Sequence, residues 1–440
     1  MSSTSEKRKA NALAHGPTVN AIKRAKYEAK QEHRRQALIG QNPAHHWASW
    51  FNGREEYAAF ITVQDVREIR QLWGENDSSN IEQERSKRLI QIADWIMPFF
   101  DVKETPTVRN GSERLFISEG TEAVRMMVQR CIECTYSSAG ETSNGTDSRP
   151  PPIRLLSILS KPSTFFDSPT HLLRDIQGRN LLGGSPATPP FKIVIADEEA
   201  LSEIAGFRIA RGAMACGAIP DFMQIHGYSW LKGILLSRGS ANFPATDNSA
   251  YQLKPIIRLL ALDAVSNAAN VGSIIRTAAA FSIDAIILSD DSCDAWYRQS
   301  VRTSMGHVIS VPILRVSDWE NGRKDDEDNN HGDKLIGLAK FLRWLRDTMD
   351  VECLAAVVDD DSDKKYCQPF VLLEDQAVVS RSWCCVLGNE GNGIRDIVIQ
   401  ECDKRVKIGM ASGVDSLSLP IAAGILLHGL SVHSNKVSES

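Results

Sequence analysis

The sequence predicts an α/β protein. A C-terminal domain is built on a mostly parallel sheet, and a small α/β region and a helical N-terminal extension precede it. Three observations carry this expectation. Apolar runs recur at residues 256–261, 285–288, within 308–315, 352–358 and 382–387, as strands buried on both faces require. Between them lie segments with helical character at 270–281, 334–347 and 416–433, and strands alternating with helices make parallel sheets. The 440 residues, 42% hydrophobic and 24% charged, are enough for two or three globular domains.

Taken in order, residues 1–40 read as a flexible basic arm, with nine Lys/Arg against two Glu between positions 7 and 35. Such an arm is a solvated helical segment, an RNA contact or a nuclear signal. It lacks an apolar core of the secretory kind, and Met1-Ser2-Ser3-Thr4-Ser5 leaves an organelle transit peptide open. Residues 41–105 form a helical extension, because Phe60, Val63, Val66, Ile69 and Leu72 fall near three- and four-residue spacing. A second helical stretch, 89–96, ends near Pro98. Residues 106–228 alternate strands (114–120, 153–159, 192–196, 212–218) with helices that start at Thr121 and Glu198. Stretches rich in Ser, Gly, Thr and Pro at 137–152 and 183–190 read as loops. Residues 229–254 read as a linker. The parallel domain spans 255–435 and carries a polar, mostly acidic insertion at 318–333, expected to be a disordered surface loop.

Composition narrows the function. A net charge of −5 argues against a uniformly basic nucleic-acid binder, so an RNA partner would need local basic patches. Nine scattered cysteines fit a reducing, intracellular compartment better than a disulfide framework. Cys131 and Cys134 form a CxxC without a second pair at zinc spacing, so structural thiols are expected there and no metal. No run of about 18 apolar residues exists, so no membrane span is expected.

Three blocks near the C-terminus carry the chemistry. The first is Leu262-Asp263 followed by Asn270-Val271-Gly272-Ser273-Ile274-Ile275-Arg276. Its strand-to-helix join places Asn270 near the carboxyl end of a parallel strand, where open α/β sheets bind ligands. Arg276 is a charge in an otherwise apolar helix. It either pairs with a surface acid by its long stem or offers its planar fork to a phosphate. The second block, Leu387-Gly388-Asn389-Glu390-Gly391-Asn392-Gly393, is a turn whose glycines allow positive φ and close approach of backbone amides to a ligand. It could equally be a plain strand–helix connection, except that an acid of Glu390's length sits inside it. The third is Ile408-Gly409-Met410, then Ser416-Leu417-Ser418-Leu419-Pro420. Ser416 or Ser418 could cap the helix that follows, and a helix N-terminus also favours anions.

In order and content these blocks resemble the three motifs of the SpoU-type branch of the SPOUT RNA methyltransferases. The resemblance covers residues 255–433, and more loosely 113–220, where 114–120 and 212–218 are similar to the L30e-type substrate-binding domain that precedes many of these enzymes. It implies a trefoil-knotted sheet, a homodimer, S-adenosylmethionine as cofactor, and methyl transfer to a ribose 2′-hydroxyl in structured RNA, ribosomal or transfer. Arg276, Asn270, Glu390, Ser416 and Ser418 take the catalytic positions. Leu387, Gly388, Asn389, Gly391, Ile408, Met410 and Leu417 take the cofactor positions. In the family the residue matching Arg276 is implicated in activating the 2′-hydroxyl. A guanidinium rarely gives up its proton, and stabilising the developing alkoxide requires no such loss. The segment from Ser300 to Gly306 matches an Arg-x-Ser-x-Gly block, which makes Arg298 and Arg302 RNA-binding candidates or surface ion-pair formers. Four positions depart from the family pattern: Gly409 replaces a Pro, Ser418 an Asn, and Leu419-Pro420 a Val-Ser or Val-Ala. These departures also fit a weak or inactive RNA-binding homologue acting in RNA processing or ribosome assembly.

Overall fold

The computed structural model describes residues 54–74, 84–100, 108–110, 113–137, 154–167, 172, 176, 191–209, 212–219, 228–233, 235, 256–322, 337–358, 366–374, 382–414 and 416–439. The chain divides into two compact units, Met1–Ala59 and Phe60–Ser440. The basic arm expected at 1–40 lies outside the described residues.

Two sheets are present among the described residues. The strands of the first are β1 (Ala58–Ile61), β2 (Val108–Asn110), β3 (Glu113–Glu119), β4 (Arg154–Ser160), β5 (Lys192–Ala196) and β6 (Ala213–Ala218), in the order β1-β5-β4-β6-β3-β2. The pairs β2–β3, β3–β6 and β4–β6 are antiparallel, and β4–β5 is parallel. Gly217 on β6 lies where a Cβ would crowd Phe116 at 2.7 Å and Met127 at 2.9 Å, so the small residue sets how closely the helix α3 (Thr121–Ser137) lies on the sheet. The predicted helical extension supplies α1 (Val63–Gly74) and α2 (Glu84–Ile96), and among its described residues a strand, β1, precedes α1. Thr62 and Asp65 form a reciprocal cap that starts α1: Asp65 accepts from the Thr62 N–H at 2.8 Å, and Thr62 Oγ1 accepts from the Asp65 N–H at 3.4 Å. That cap explains why helix starts only at Val63. Helix α4 (Glu198–Ala205) is capped by Asp197, which accepts from the Ala200 N–H at 2.7 Å, and is closed by Gly206 at φ +72°.

The second sheet is wholly parallel, as the apolar runs predict. Its strands are β7 (Arg258–Leu262), β8 (Ala285–Leu288), β9 (Ile313–Arg315), β10 (Glu352–Ala356), β11 (Phe370–Leu372), β12 (Trp383–Leu387) and β13 (Lys404–Lys407), in the order β11-β13-β10-β12-β7-β8-β9. From β7 the chain steps one way to β8 and β9, then returns to fill the other side. The crevice between β7 and β12 is therefore a topological switch point. The helices are α5 (Ala268–Ala280), α6 (Arg298–Thr303), α7 (Val316–Gly322), α8 (Gly337–Met349), α9 (Asp396–Ile399) and α10 (Leu419–Glu439).

Two boundaries differ from expectation for one reason. Residues 228–233 and 235, at the start of the predicted linker, are helical and bury Trp230, Leu231 and Leu235 in the core of the parallel domain. The start of the predicted acidic loop is α7, with Trp319 almost fully enclosed. The rings of Tyr228, Trp319, Phe341 and Trp344 pack together, with centroids 5.3 Å apart for Trp319–Phe341 and 5.7 Å for Tyr228–Trp344. Large aromatics lose so much by exposure that they recruit their local backbone into the core. Residues 323–333 of the insertion lie outside the described residues.

Candidate active site

The register of β7 and β12 builds the site. Leu262 pairs with Leu387, and the Asp263 N–H donates to the Leu387 carbonyl at 2.8 Å. The first and second blocks therefore leave the sheet side by side at its carboxyl edge. The turn after β7 holds Ala264 at φ +56°, a strained value for a residue with a side chain. It is pinned by the Ala264 N–H on Ser289 Oγ at 2.8 Å and by Asn389 Nδ2 on the Ala264 carbonyl at 2.8 Å. Asn267 caps α5, accepting from the Ala269 and Asn270 N–H groups. Asn270 thus stands in the first helical turn and reaches across to the second block, its Nδ2 donating to Glu390 Oε1 at 2.7 Å. Two predicted catalytic residues, 120 positions apart, are in direct contact.

The turn at 388–394 is organised by Asn389. Its backbone exchanges hydrogen bonds with Gly393 at 2.9 Å, and its Oδ1 accepts from the Gly391 N–H at 2.8 Å and the Asn392 N–H at 3.2 Å. The glycines have different tasks. A Cβ on Gly388 would overlap the backbone of Gly393 and Ile394. Gly393 has φ +70°. Gly391 has neither constraint, since its φ is not positive and a Cβ there would sit 3.4 Å from Asn389 Oδ1. Of the three glycines expected to allow positive φ or close backbone approach, only Gly393 has a positive φ.

Sequence reasoning missed the pair that locks the two blocks together. Asp263 is fully buried, and its carboxylate accepts from the Arg395 backbone N–H at 2.9 Å, from Nε at 2.8 Å and from Nη2. Arg395 also reaches Asp291 at 3.0 Å. The only signal in the sequence was an acid closing an apolar strand.

The third block leaves β13 at the same edge. Ile408 and Met410 are half-buried, and Gly409 is exposed. Ser416 and Ser418 are exposed, Leu417 is half-buried, and neither serine has a side-chain hydrogen bond among the described residues. Ser418 starts α10 through its carbonyl, which accepts from the Ile421 and Ala422 N–H groups at 2.9 and 3.0 Å. Pro420 sits in the first turn, where its missing N–H costs nothing.

The predicted arginines diverge. Arg276 is exposed on α5 and forms no ion pair among the described residues. Six residues beyond Asn270, it lies roughly 9 Å along the axis and on a different side of the helix. Its charge acts on His307, a half-buried imidazole held below its usual pKa first by burial and second by Arg276. Close approach of α5 and α6 depends on Gly272, where a Cβ would overlap Ser300 and Thr303. Arg298 is drawn into the contact between the two sheets' domains: it pairs with the buried Glu119 at 2.9 Å and lies over the Phe207 ring at 4.5 Å. Nearby, Arg114 pairs with Asp294 at 2.5 Å, and the Phe116 and Trp296 rings meet at 4.8 Å. Arg302 is half-exposed, 4.0 Å from Glu119. Among the described residues, no His, Cys, Asp and Glu cluster could hold a metal ion. Nor is any helix long and apolar enough to cross a membrane.

A parallel α/β sheet with a glycine-rich turn, a carboxylate and a helix N-terminus at its switch point is the kind of place where open α/β sheets bind ligands. Residues 258–428 match the SpoU rRNA Methylase family. The chain is 29% identical over 220 residues to an uncharacterised tRNA/rRNA methyltransferase of Mycobacterium tuberculosis. That match covers 49% of this chain and 66% of the relative, just under two thirds of its length. It is 25% identical over 190 residues to a 23S rRNA (guanosine-2′-O-)-methyltransferase of Haemophilus ducreyi, covering 42% of this chain and 65% of that one. Among solved structures, the chain is similar to an AdoMet-bound rRNA methyltransferase from Sinorhizobium meliloti, with 18% identity and a TM-score of 0.45, covering 86% of this chain and 98% of that one.

Proposed function

We propose that the protein is an S-adenosylmethionine-dependent RNA methyltransferase acting on a ribose 2′-hydroxyl of structured RNA, ribosomal or transfer, and that it works as a homodimer. The observation that carries this reading is the Asn270–Glu390 contact at 2.7 Å, which joins the first and second blocks at the carboxyl edge of β7 and β12. The cofactor fits the residues present. Gly393 and Gly413 border open space, since a Cβ on either would meet no heavy atom within 4 Å. Half-buried Ile408, Met410 and Leu417 offer apolar walls suited to a purine. Leu387, Gly388, Asn389 and Gly391 supply a backbone turn against which the cofactor would lie. When bound, S-adenosylmethionine supplies an electrophilic methyl group.

The chain's own residues do the rest. Asn270 holds the Glu390 carboxylate at the edge of the site. Arg276, without an ion-pair partner among the described residues, is available to clamp an RNA phosphate and to stabilise negative charge developing on the ribose oxygen. Arg302 is a second candidate phosphate contact, and the β1–β6 domain takes the L30e-type role in RNA binding. Arg298, engaged with Glu119, serves the joint between the domains. Homodimerisation is supported by Ile421, Ile425 and Val432, which are 55%, 39% and 38% exposed along α10, at spacings that share one helix face. The knotted threading is part of the same proposal. A second reading, an RNA-binding homologue with little chemistry, is favoured by Ser418, which contributes its carbonyl rather than its side chain to the start of α10. Mapping 2′-O-methyl groups across RNA from cells lacking the protein tests the proposal. A ribose methyl that disappears supports it, and an unchanged map favours the second reading.

A further inference from the structure

We infer that Glu374 is a positioning residue for the third block, an inference that rests on the proposed cofactor role of residues 408–410. Strand β11 runs beside β13 in parallel register, with Leu372 opposite Lys407. The ladder continues one residue further, where the Leu373 N–H donates to the Lys407 carbonyl at 2.9 Å. Leu373 is buried against α10 at Gly429, where a Cβ would lie 2.9 Å from its side-chain carbons. The next residue, Glu374, turns its carboxylate over the third block, and its Oε1 accepts from the Gly409 N–H at 3.2 Å. The β11 segment therefore grips the stretch after β13 at two points, the Lys407 carbonyl and the Gly409 amide.

The residue type at 409 makes the second point matter. A proline there, as the family resemblance would have it, has no N–H to donate and fixes its own φ through its ring. Glycine has the N–H and the greatest conformational freedom of any residue. In this chain a hydrogen bond from a neighbouring crossover holds the Gly409 peptide. Gly409 lies between Ile408 and Met410, so fixing its peptide also fixes the direction in which their backbone groups face. Glu374 belongs to none of the three blocks. It lies 35 positions before Gly409, in the connection between β10 and β12.

The test uses the full-length chain with two readouts: S-adenosylmethionine affinity by calorimetry, and hydrogen exchange of the Gly409 amide without ligand. Glu374→Ala should weaken binding about fivefold, the scale of one net hydrogen bond, and speed exchange at Gly409. Glu374→Gln keeps a carbonyl acceptor and should stay within roughly twofold of wild type. In a Gly409→Pro background, Glu374→Ala should change nothing. Unchanged affinity and unchanged exchange in Glu374→Ala would overturn the inference. So would a Glu374→Gln form as weak as Glu374→Ala, because that result assigns the effect to charge on the ligand rather than to the peptide tether. Wild-type protein with no affinity for S-adenosylmethionine would instead overturn the cofactor reading, and this role with it, even where exchange at Gly409 still responded.

Discussion

Replacing Arg395 by Ala should cost about 2 kcal/mol of stability, on the scale set for a broken buried ion pair. Asp263 has no exposed surface, and three donors meet its carboxylate, two from the Arg395 guanidinium and one from its backbone N–H. Removing one partner of a wholly buried pair costs ~3–5 kcal/mol. Two features reduce that figure. The Arg395 side chain is 37% exposed, so solvent screens part of the interaction. The backbone N–H at 395 also survives the substitution. A loss of ~2 kcal/mol is a shift of roughly 30-fold in the folding equilibrium. Urea unfolding followed by tryptophan fluorescence reads it, since Trp383 is fully buried in β12 of the same domain. Adding Asp263→Asn removes the stranded charge and should restore most of the loss. An Arg395→Ala protein within ~0.5 kcal/mol of wild type, with no recovery in the double variant, would refute the idea that this pair ties the first block to the second.

Gly388→Ala should abolish or severely weaken S-adenosylmethionine binding because its Cβ would overlap the Gly393 and Ile394 backbone, whereas Gly391→Ala should bind nearly normally; isothermal titration of both variants compares them. Arg276→Ala should keep cofactor affinity and lose nearly all methyl transfer, and a variant with near-normal turnover would remove Arg276 from the site. The His307 pKa is held below its ordinary value by burial and then by Arg276, so as pH falls the unfolded chain takes up this proton first. Its contribution to stability is full above the ordinary histidine pKa of about 6.5 and is lost as pH falls below it. Unfolding midpoints between pH 8 and 5 should decline less in His307→Gln than in wild type, and parallel declines would contradict the assignment.

The parallel sheet was legible because buried strands leave a short-range mark: 285–288 and 382–387 are apolar on both faces, and they became β8 and β12. Strand β11 left no such mark. Only three residues long, with half its surface open, it is held by β13 from a distance in the chain. The helical stretch at 228–233 read as linker because its partners, Trp319 and Trp344, lie about a hundred residues away. In the site, Asn270 and Glu390 could be named from block order, and their contact follows from strand register. The Asp263–Arg395 lock could not, since nothing local to either residue signals a partner 132 positions distant. The separate tasks of Gly388, Gly391 and Gly393 depend on backbone angles and packing, and a run of glycines looks alike in sequence. Arg298 was legible as a charge near a functional block, but its use against Glu119 depends on how two domains meet.

The proposed reaction is methylation of a ribose 2′-hydroxyl. It is tested most directly by incubating the purified chain with S-adenosylmethionine labelled in its methyl group and with RNA from cells lacking the protein, then hydrolysing the RNA in alkali. A methylated 2′-oxygen cannot attack the neighbouring phosphate, so label on ribose survives in an alkali-resistant dinucleotide. The account predicts label in that fraction, and its loss with Arg276→Ala. Label confined to mononucleotides would mean that a base is methylated, and no label in RNA at all would mean that the site performs no transfer; either result contradicts it.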